Sequence, residues 1–200
     1  MLPESIVRRL REEGHTFADA FATCTILFAD LVGFTKIASE HPAAEVVDLL
    51  DRVFSRFDDL VETAGVEKIK TIGDAYMVVA GVPRPRTDHA MVIAALALQM
   101  RDTIHEFGLR LRIGINTGPV VAGVIGKKRF IYDLWGDTVN VASRMESQGP
   151  ADGIQVTQAT WREIHDQFEL ESRTVEVRGR GRMDVWLLLG PKRVASGMPE

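Results

Sequence analysis

The spacing of apolar positions changes several times along the chain, and each change marks an element. In Pro3 to Glu13, Ile6, Val7 and Leu10 share one helical face with arginines opposite, which predicts a short amphipathic lead-in helix stopped by Gly14. The run from Cys24 to Ala29 is short, apolar and partly β-branched. Asp30 and Gly33 cut it off, the pattern of a buried strand entering a tight turn. Val46, Leu50, Val53, Phe57 and Leu60 recur at helical spacing between Ala43 and Ala64, with Gly65 as the C-cap. Gly73 and Asp74 separate two β-rich runs, VEKIKTI and AYMVVAGV, and predict a hairpin with Asp74 at its tip. A proline-marked loop then offers Thr87 or Asp88 as N-cap to the helix MVIAALALQM, which is apolar enough to be mostly buried. LRLRIGINTG alternates as a strand ending at Gly118, and an apolar, glycine-rich stretch follows.

The order β-α-β-β-α-β predicts an α+β fold with a ferredoxin-like sandwich core, its helices on one face of an antiparallel sheet. C-terminal α/β additions follow: a helix near Asn140 to Ser147, a strand at IQVT, a helix around Trp161 to Phe168, and two strands across the turn RGRG. The organisation expected is a lead-in segment over 1–21, a folded domain over 22–190 and a tail over 191–200.

Composition narrows the classes. The 200 residues fit one domain, given roughly 100–200 residues per domain. With 46% hydrophobic and 26% charged residues, the chain is neither disordered, collagenous nor a coiled coil. Lys plus Arg number 24 against 28 Asp plus Glu, and the net charge of −4 argues against holding a nucleic-acid backbone. The single cysteine, Cys24, excludes an intramolecular disulfide and a cysteine-rich zinc site, and suits a reducing compartment. The uncharged stretch Met91 to Met100 is about half of the ~20 residues that span a bilayer. The charged N-terminal segment does not read as a signal peptide. A cytoplasmic domain without membrane contact of its own is expected, whether free or as part of a membrane-anchored protein.

Several side chains stand where chemistry is plausible. Asp30 ends a central strand and Asp74 tips the neighbouring hairpin, so two carboxylates meet at one sheet edge and suit a hard divalent cation. Each aspartate by itself equally caps a turn. Gly33, Phe34 and Thr35 form a turn whose backbone N–H groups suit an anion, or simply join strand to helix. Strict alternation puts Val66, Lys68 and Lys70 on one strand face, and Asp133 sits inside the aromatic run FIYDLWG; both charges also read as edge charges or an ion pair. Asn140 and Arg144, four apart, share a helical face that suits a sugar and a phosphate or is merely solvated. Arg178, Arg180 and Arg182 surround the last turn, as an anion clamp or a solvated tip.

Together TILFADLVGFT, EKIKTIGDAYMVVAGVP, LRIGINTGPVVAGVIG and YDLWGDTVNVASRMES resemble the class III nucleotide cyclase catalytic domain of the bacterial adenylyl type. The likeness runs from about Thr23 to Leu189. It implies two such domains pairing head to tail as a homodimer, with active sites between them, and conversion of ATP to 3′,5′-cyclic AMP and pyrophosphate. It further implies that Asp30, Asp74 and the Leu31 carbonyl hold two divalent metal ions, Mg²⁺ or Mn²⁺. Phe34 and Thr35 would hold the terminal phosphates through their backbone, and Arg112 would contact the phosphates. Lys70 and Asp133 would read adenine. Asn140 would orient the ribose, and Arg144 would stabilise charge on phosphorus. Arg178 stands where many members carry lysine, and a planar guanidinium is a different donor from an ammonium. The lead-in segment resembles the coupling helix that precedes many such domains, so an upstream sensor or membrane domain is expected. A guanylyl cyclase, usually with Glu and Cys in place of Lys70 and Asp133, and a nucleotide-binding module without turnover are the alternatives. A nucleic-acid polymerase palm shares the split sandwich and two-metal chemistry by fold analogy alone.

Overall fold

The computed structural model describes residues 4–13, 16–126 and 130–192. Pro3 and Gly14, read as bounds of the lead-in helix, and residues 193–200 of the expected tail lie outside them. The chain order is α1 (Glu4–Glu13), β1 (Ala18–Leu31), α2 (Phe34–Glu40), α3 (Ala43–Ala64), β2 (Glu67–Ile72), β3 (Ala75–Ala80), α4 (His89–His105) and β4 (Leu111–Ile125). After these come β5 (Ile131–Trp135), α5 (Asp137–Ser147), β6 (Ile154–Thr157), α6 (Gln158–Ile164), β7 (Phe168–Val177) and β8 (Gly181–Pro191).

Strands pair in the order β2-β3-β1-β4-β6-β8-β7, with β5 added along the far half of β4. The first four are the antiparallel ferredoxin-like core; β6 joins β4 in parallel and extends the sheet. Alternation sorts the strand side chains into two layers. Leu27, Ala29, Leu31, Tyr76 and Val78 face α3 and α4, where Phe57, Ile93 and Met100 bury. Ile26, Phe28, Met77 and Val79 face the other way, against Ile6 of α1, Tyr132 and Leu134 of β5 and Ala142 of α5. Helices therefore cover both faces, not one, because α1 and α5 lie outside the βαββαβ core. Val141 and Met145 of α5 also pack on Val177 and Val185 of the last two strands.

Gly65 ends α3 at φ +63° as expected, with its N–H on the Glu62 and Val61 carbonyls. Asp88 precedes α4, but its carboxylate binds Arg86 at 2.6 and 2.8 Å instead of capping the helix. The strand through LRIGINTG does not stop at Gly118; it continues to Ile125 and its glycines mark close approaches. At Gly114 a Cβ would lie 2.0 Å from the Glu146 nitrogen and 2.5 Å from the Ala142 carbonyl oxygen, so α5 rests directly on β4. The helix expected around Trp161 to Phe168 is displaced to Gln158–Ile164, because Thr157 caps it by accepting from the Thr160 amide, and Phe168 opens β7. The short helix α2 and the strand β5 were not expected.

His89, 3% exposed, starts α4 with Nδ1 2.8 Å from Thr25 Oγ1 and Nε2 3.3 Å from Thr23 Oγ1. Burial holds its pKa below the ordinary 6.5, and Arg86 adds to that against the opposing pull of Glu163 and Asp88. As pH falls below that ordinary value the unfolded chain takes up the proton first, so this contribution to stability is present above it and lost as pH falls towards the depressed folded value. The stability difference between the parent and His89→Gln, followed by thermal unfolding from about pH 7.5 to about pH 5.5, should therefore shrink; a constant difference would contradict the assignment. Gly114→Ala forces α5 off backbone atoms and should lower stability by about 3 kcal/mol, roughly 6–12 °C in Tm. Gly65→Ala meets nothing within 4 Å and carries only left-handed strain, about 1–2 kcal/mol.

Candidate active site

Asp30 lies on the last turn of pleat of β1, opposite Ala75 on β3 and Arg112 on β4. Asp74 occupies the two-residue turn between β2 and β3, next to Ala75, so the hairpin brings the two carboxyls together. Burial first, and then repulsion from Asp74 and a hydrogen bond with it, push Asp30 up to about 6, although Arg112 pulls the other way. A proton shared by two acids is a weak substitute for a divalent cation, and two carboxylates with open positions for phosphate oxygens suit Mg²⁺ or Mn²⁺. Among the described residues no cluster of three or more acidic, histidine or cysteine side chains is arranged to enclose a metal. Leu31 completes the strand beside them with its side chain buried; that side chain carries no donor atom, so a metal could be met only by its backbone carbonyl.

Gly33, at φ +79°, then turns the chain into α2. Its carbonyl accepts from the Lys36 and Ile37 amides at 3.0 and 3.3 Å, while the N–H groups of Phe34 and Thr35 precede the first intrahelical bond and are open to an acceptor. The Phe34 ring packs against the core and anchors the turn.

Strict alternation misplaces one lysine. A bulge between Lys68 and Lys70 sets Lys68 opposite Val78 and Lys70 opposite Met77, residues of opposite layers. Lys68 accordingly binds Asp58 of α3 at 2.6 and 2.9 Å, and Lys70 turns to the other face and forms an ion pair with Asp133 of β5. Asp133 is fixed further by the Leu134 amide, which donates to it at 2.9 Å. The side chains remain 35% and 15% exposed, so the pair is reachable.

The helix α5 carries Asn140 and Arg144. Asn140 is exposed, and Arg144 donates to the Arg178 carbonyl at 2.7 Å. Arg180 pairs with Asp137 at the start of α5, so the turn between β7 and β8 is tied to the helix at two points. Arg112, on β4, is half-buried with Nε unpartnered and Nη1 4.0 Å from Glu146. Glu146 was not anticipated. Burial, with repulsion from Asp30 and Asp74, pushes it up to about 7 against the pull of Arg112. Its signal was its place four residues after Ala142, on the core-facing side of the helix.

Within one chain the structure thus forms three groups: Asp30, Leu31, Asp74 and Arg112 with the α2 turn; Lys70 with Asp133; and Asn140 and Arg144 with the Arg178 turn. Among the described residues no hydrogen bond or ion pair joins the first group to either of the others. His89 lies in the threonine network described above, His105 binds Asp152 at 2.8 Å and the His165 ring stacks on Trp161, so none of these three serves as a base beside the carboxylates.

Residues 17–190 match the family described as the adenylate and guanylate cyclase catalytic domain. An adenylate cyclase of Mycobacterium tuberculosis is 48% identical over 98% of this chain, which spans 46% of that protein's length. The guanylate cyclase domain of RhGC from Catenaria anguillulae, solved in complex with GTP, superposes with a TM-score of 0.84 at 34% identity, over 87% of this chain and 100% of that one. The adenylyl cyclase CyaB from P. aeruginosa gives 0.83 at 26% identity, over 90% and 98%. With the sheet order, the paired carboxylates and a match over nearly all of the fold, the chain belongs to the adenylate and guanylate cyclase catalytic domain family.

Proposed function

We propose that this domain converts ATP to 3′,5′-cyclic AMP and pyrophosphate, at sites shared between two copies of the chain. The observation that carries the choice of base is the reachable Lys70–Asp133 pair. Adenine presents an acceptor at N1 and a donor at N6, which an ammonium and a carboxylate satisfy; guanine presents the reverse at that edge. A buried mismatch of this kind is strongly rejected.

Divalent ions held by Asp30, Asp74 and the Leu31 carbonyl would supply Lewis-acid activation and charge neutralisation. The chain's own groups do the rest. The Phe34 and Thr35 amides and the Arg112 and Arg178 guanidinium groups hold the triphosphate. Asn140 aligns the ribose so that its 3′-oxygen faces the α-phosphorus. As that bond forms and the bond to the pyrophosphate oxygen breaks, Arg144 meets the charge that spreads over the phosphoryl oxygens. The 3′-hydroxyl proton leaves to substrate or solvent oxygen.

Pairing of two chains is supported by an apolar stripe on the outer side of the β4–β5 ribbon. Val121 lies opposite Trp135 and Ile125 opposite Ile131, all of them exposed and on the same side as Asp133. A two-fold contact through this stripe fits the separation of the site into groups, each chain giving carboxylates to one site and Lys70, Asp133, Asn140 and Arg144 to the other. The reading also takes residues 1–21 as a lead-in segment, 22–190 as the catalytic domain and 191–200 as a tail, with a cytoplasmic location. Among the described residues no helix is long and apolar enough to cross a membrane.

The test is production of cyclic AMP and pyrophosphate by the purified dimer with Mg²⁺ or Mn²⁺, ATP being preferred to GTP. The double substitution Lys70→Glu and Asp133→Cys should lower the ATP to GTP ratio of kcat/KM by at least about a hundredfold. Folded, dimeric parent protein that forms no cyclic AMP with either metal would refute the function.

A further inference from the structure

Between β4 and α5 lies a polar residue that none of the proposed roles uses. Asn116, 6% exposed, sits in the middle of β4. Its Nδ2 donates to the Thr138 carbonyl in the first turn of α5 at 3.0 Å, and its Oδ1 accepts from Thr157 Oγ1, at the end of β6, at 2.7 Å. The carbonyl of Thr138 can only accept, so the amide has one orientation, and both of its ends are engaged. Thr138 Oγ1 in turn donates to the Pro119 carbonyl at 2.6 Å. A Cβ at Gly118 would come within 2.7 Å of that hydroxyl, so no larger residue fits between strand and helix there. The first turn of α5 is thereby fastened to β4 two residues before Asn140 and six before Arg144.

We infer that Asn116 is a positioning residue for cyclisation: by anchoring the first turn of α5 through Thr138, it sets where Asn140 and Arg144 stand against the reacting ribose and phosphorus. The inference rests on the cyclase reading above. Groups that act mainly in the transition state tolerate little displacement, and a shift of about 1 Å lowers the rate by as much as ~100-fold. Base and triphosphate are gripped by residues outside α5, so ground-state binding is largely spared. Without the amide, the Thr138 carbonyl keeps only its bond within the helix and the Thr157 hydroxyl only its contacts with Thr160, so the tie between β4 and the helix start is lost without emptying the main core.

The experiment compares the full-length parent dimer with Asn116→Ala and Asn116→Asp, the second keeping the shape while losing the donor. Thr25→Val is the control. It breaks the buried contacts of Thr25 with His89 and with Thr117, each at 2.8 Å, at the far end of the hydroxyl chain that runs through Thr160 to Thr157, and leaves both bonds of Asn116 itself in place. Both Asn116 variants should lose about 10–100-fold in kcat with KM for ATP within about threefold of the parent. Thr25→Val should lower Tm yet keep kcat within about twofold. Amide hydrogen exchange supplies a readout that needs no turnover: residues 138–142 should exchange faster in the Asn116 variants while α4 is unchanged. Parental kcat in both Asn116 variants, or an equal kcat loss in Thr25→Val, would overturn the inference. A parent that makes no cyclic AMP refutes the cyclase reading instead; exchange then decides, and unchanged protection of α5 in the Asn116 variants overturns the anchoring.

Discussion

At Gly114 the backbone of α5 lies so close to β4 that no side chain fits between them. This close contact organises the molecule around the site. It places Glu146 over Arg112 and beside the two aspartates, and it leaves Asn140 on the outer side of the helix. The last two strands depend on the same helix, since Val141 and Met145 bury against Val177 and Val185 and the Arg178 turn is tied to Arg144 and Asp137. A helix seated this closely on a strand would be a suitable mount for groups that, in the proposed reaction, meet developing charge, where misplacement is punished more than in binding.

Charge is distributed to the same end. The net charge of −4 says little about a triphosphate, because acidic and basic groups are separated along the structure. Asp30, Asp74 and Glu146 crowd one region, where burial first and then repulsion among the carboxylates raises the pKa values of Asp30 and Glu146 against the pull of Arg112. Lys70 meanwhile is balanced by Asp133, and Arg144 rests on a carbonyl of its own chain. A region rich in acids and a region rich in directed donors, held apart within one chain, would be complementary to each other across the two-fold axis of the proposed dimer. The exposed apolar stripe of Val121, Ile125, Ile131 and Trp135 lies beside Asp133, where such an axis would bury it.

Much of this was legible in the sequence because local signals and the fold agree. The hairpin at Gly73-Asp74, the cap at Gly65 and the strand ending at Asp30 depend on a few residues with strong conformational preferences, and the sheet order of the core follows from them. Readings failed where a preference was overruled from a distance. Alternation put Lys68 and Lys70 on one face, but the bulge at Ile69 lets that apolar side chain join the second layer and turns Lys70 to Asp133. Gly118 looked like a strand end, whereas β4 runs on because its glycines accommodate neighbouring elements. The strand β5 has little to announce it beyond aromatic residues, and its pairing depends entirely on that extension. Glu146 escaped notice because a carboxylate on a buried helix face is uncommon unless a partner such as Arg112 is close.

The central claim is that one chain holds only half of each active site, and mixing two disabled chains addresses it most directly. Asp30→Ala lacks the carboxylate half and Arg144→Ala the transition-state half, and each should be inactive alone. Mixed in equal amounts and allowed to exchange subunits, they form heterodimers with one intact site, and about a quarter of the parental specific activity should return. Folded heterodimers that stay as inactive as their parents would contradict a shared site.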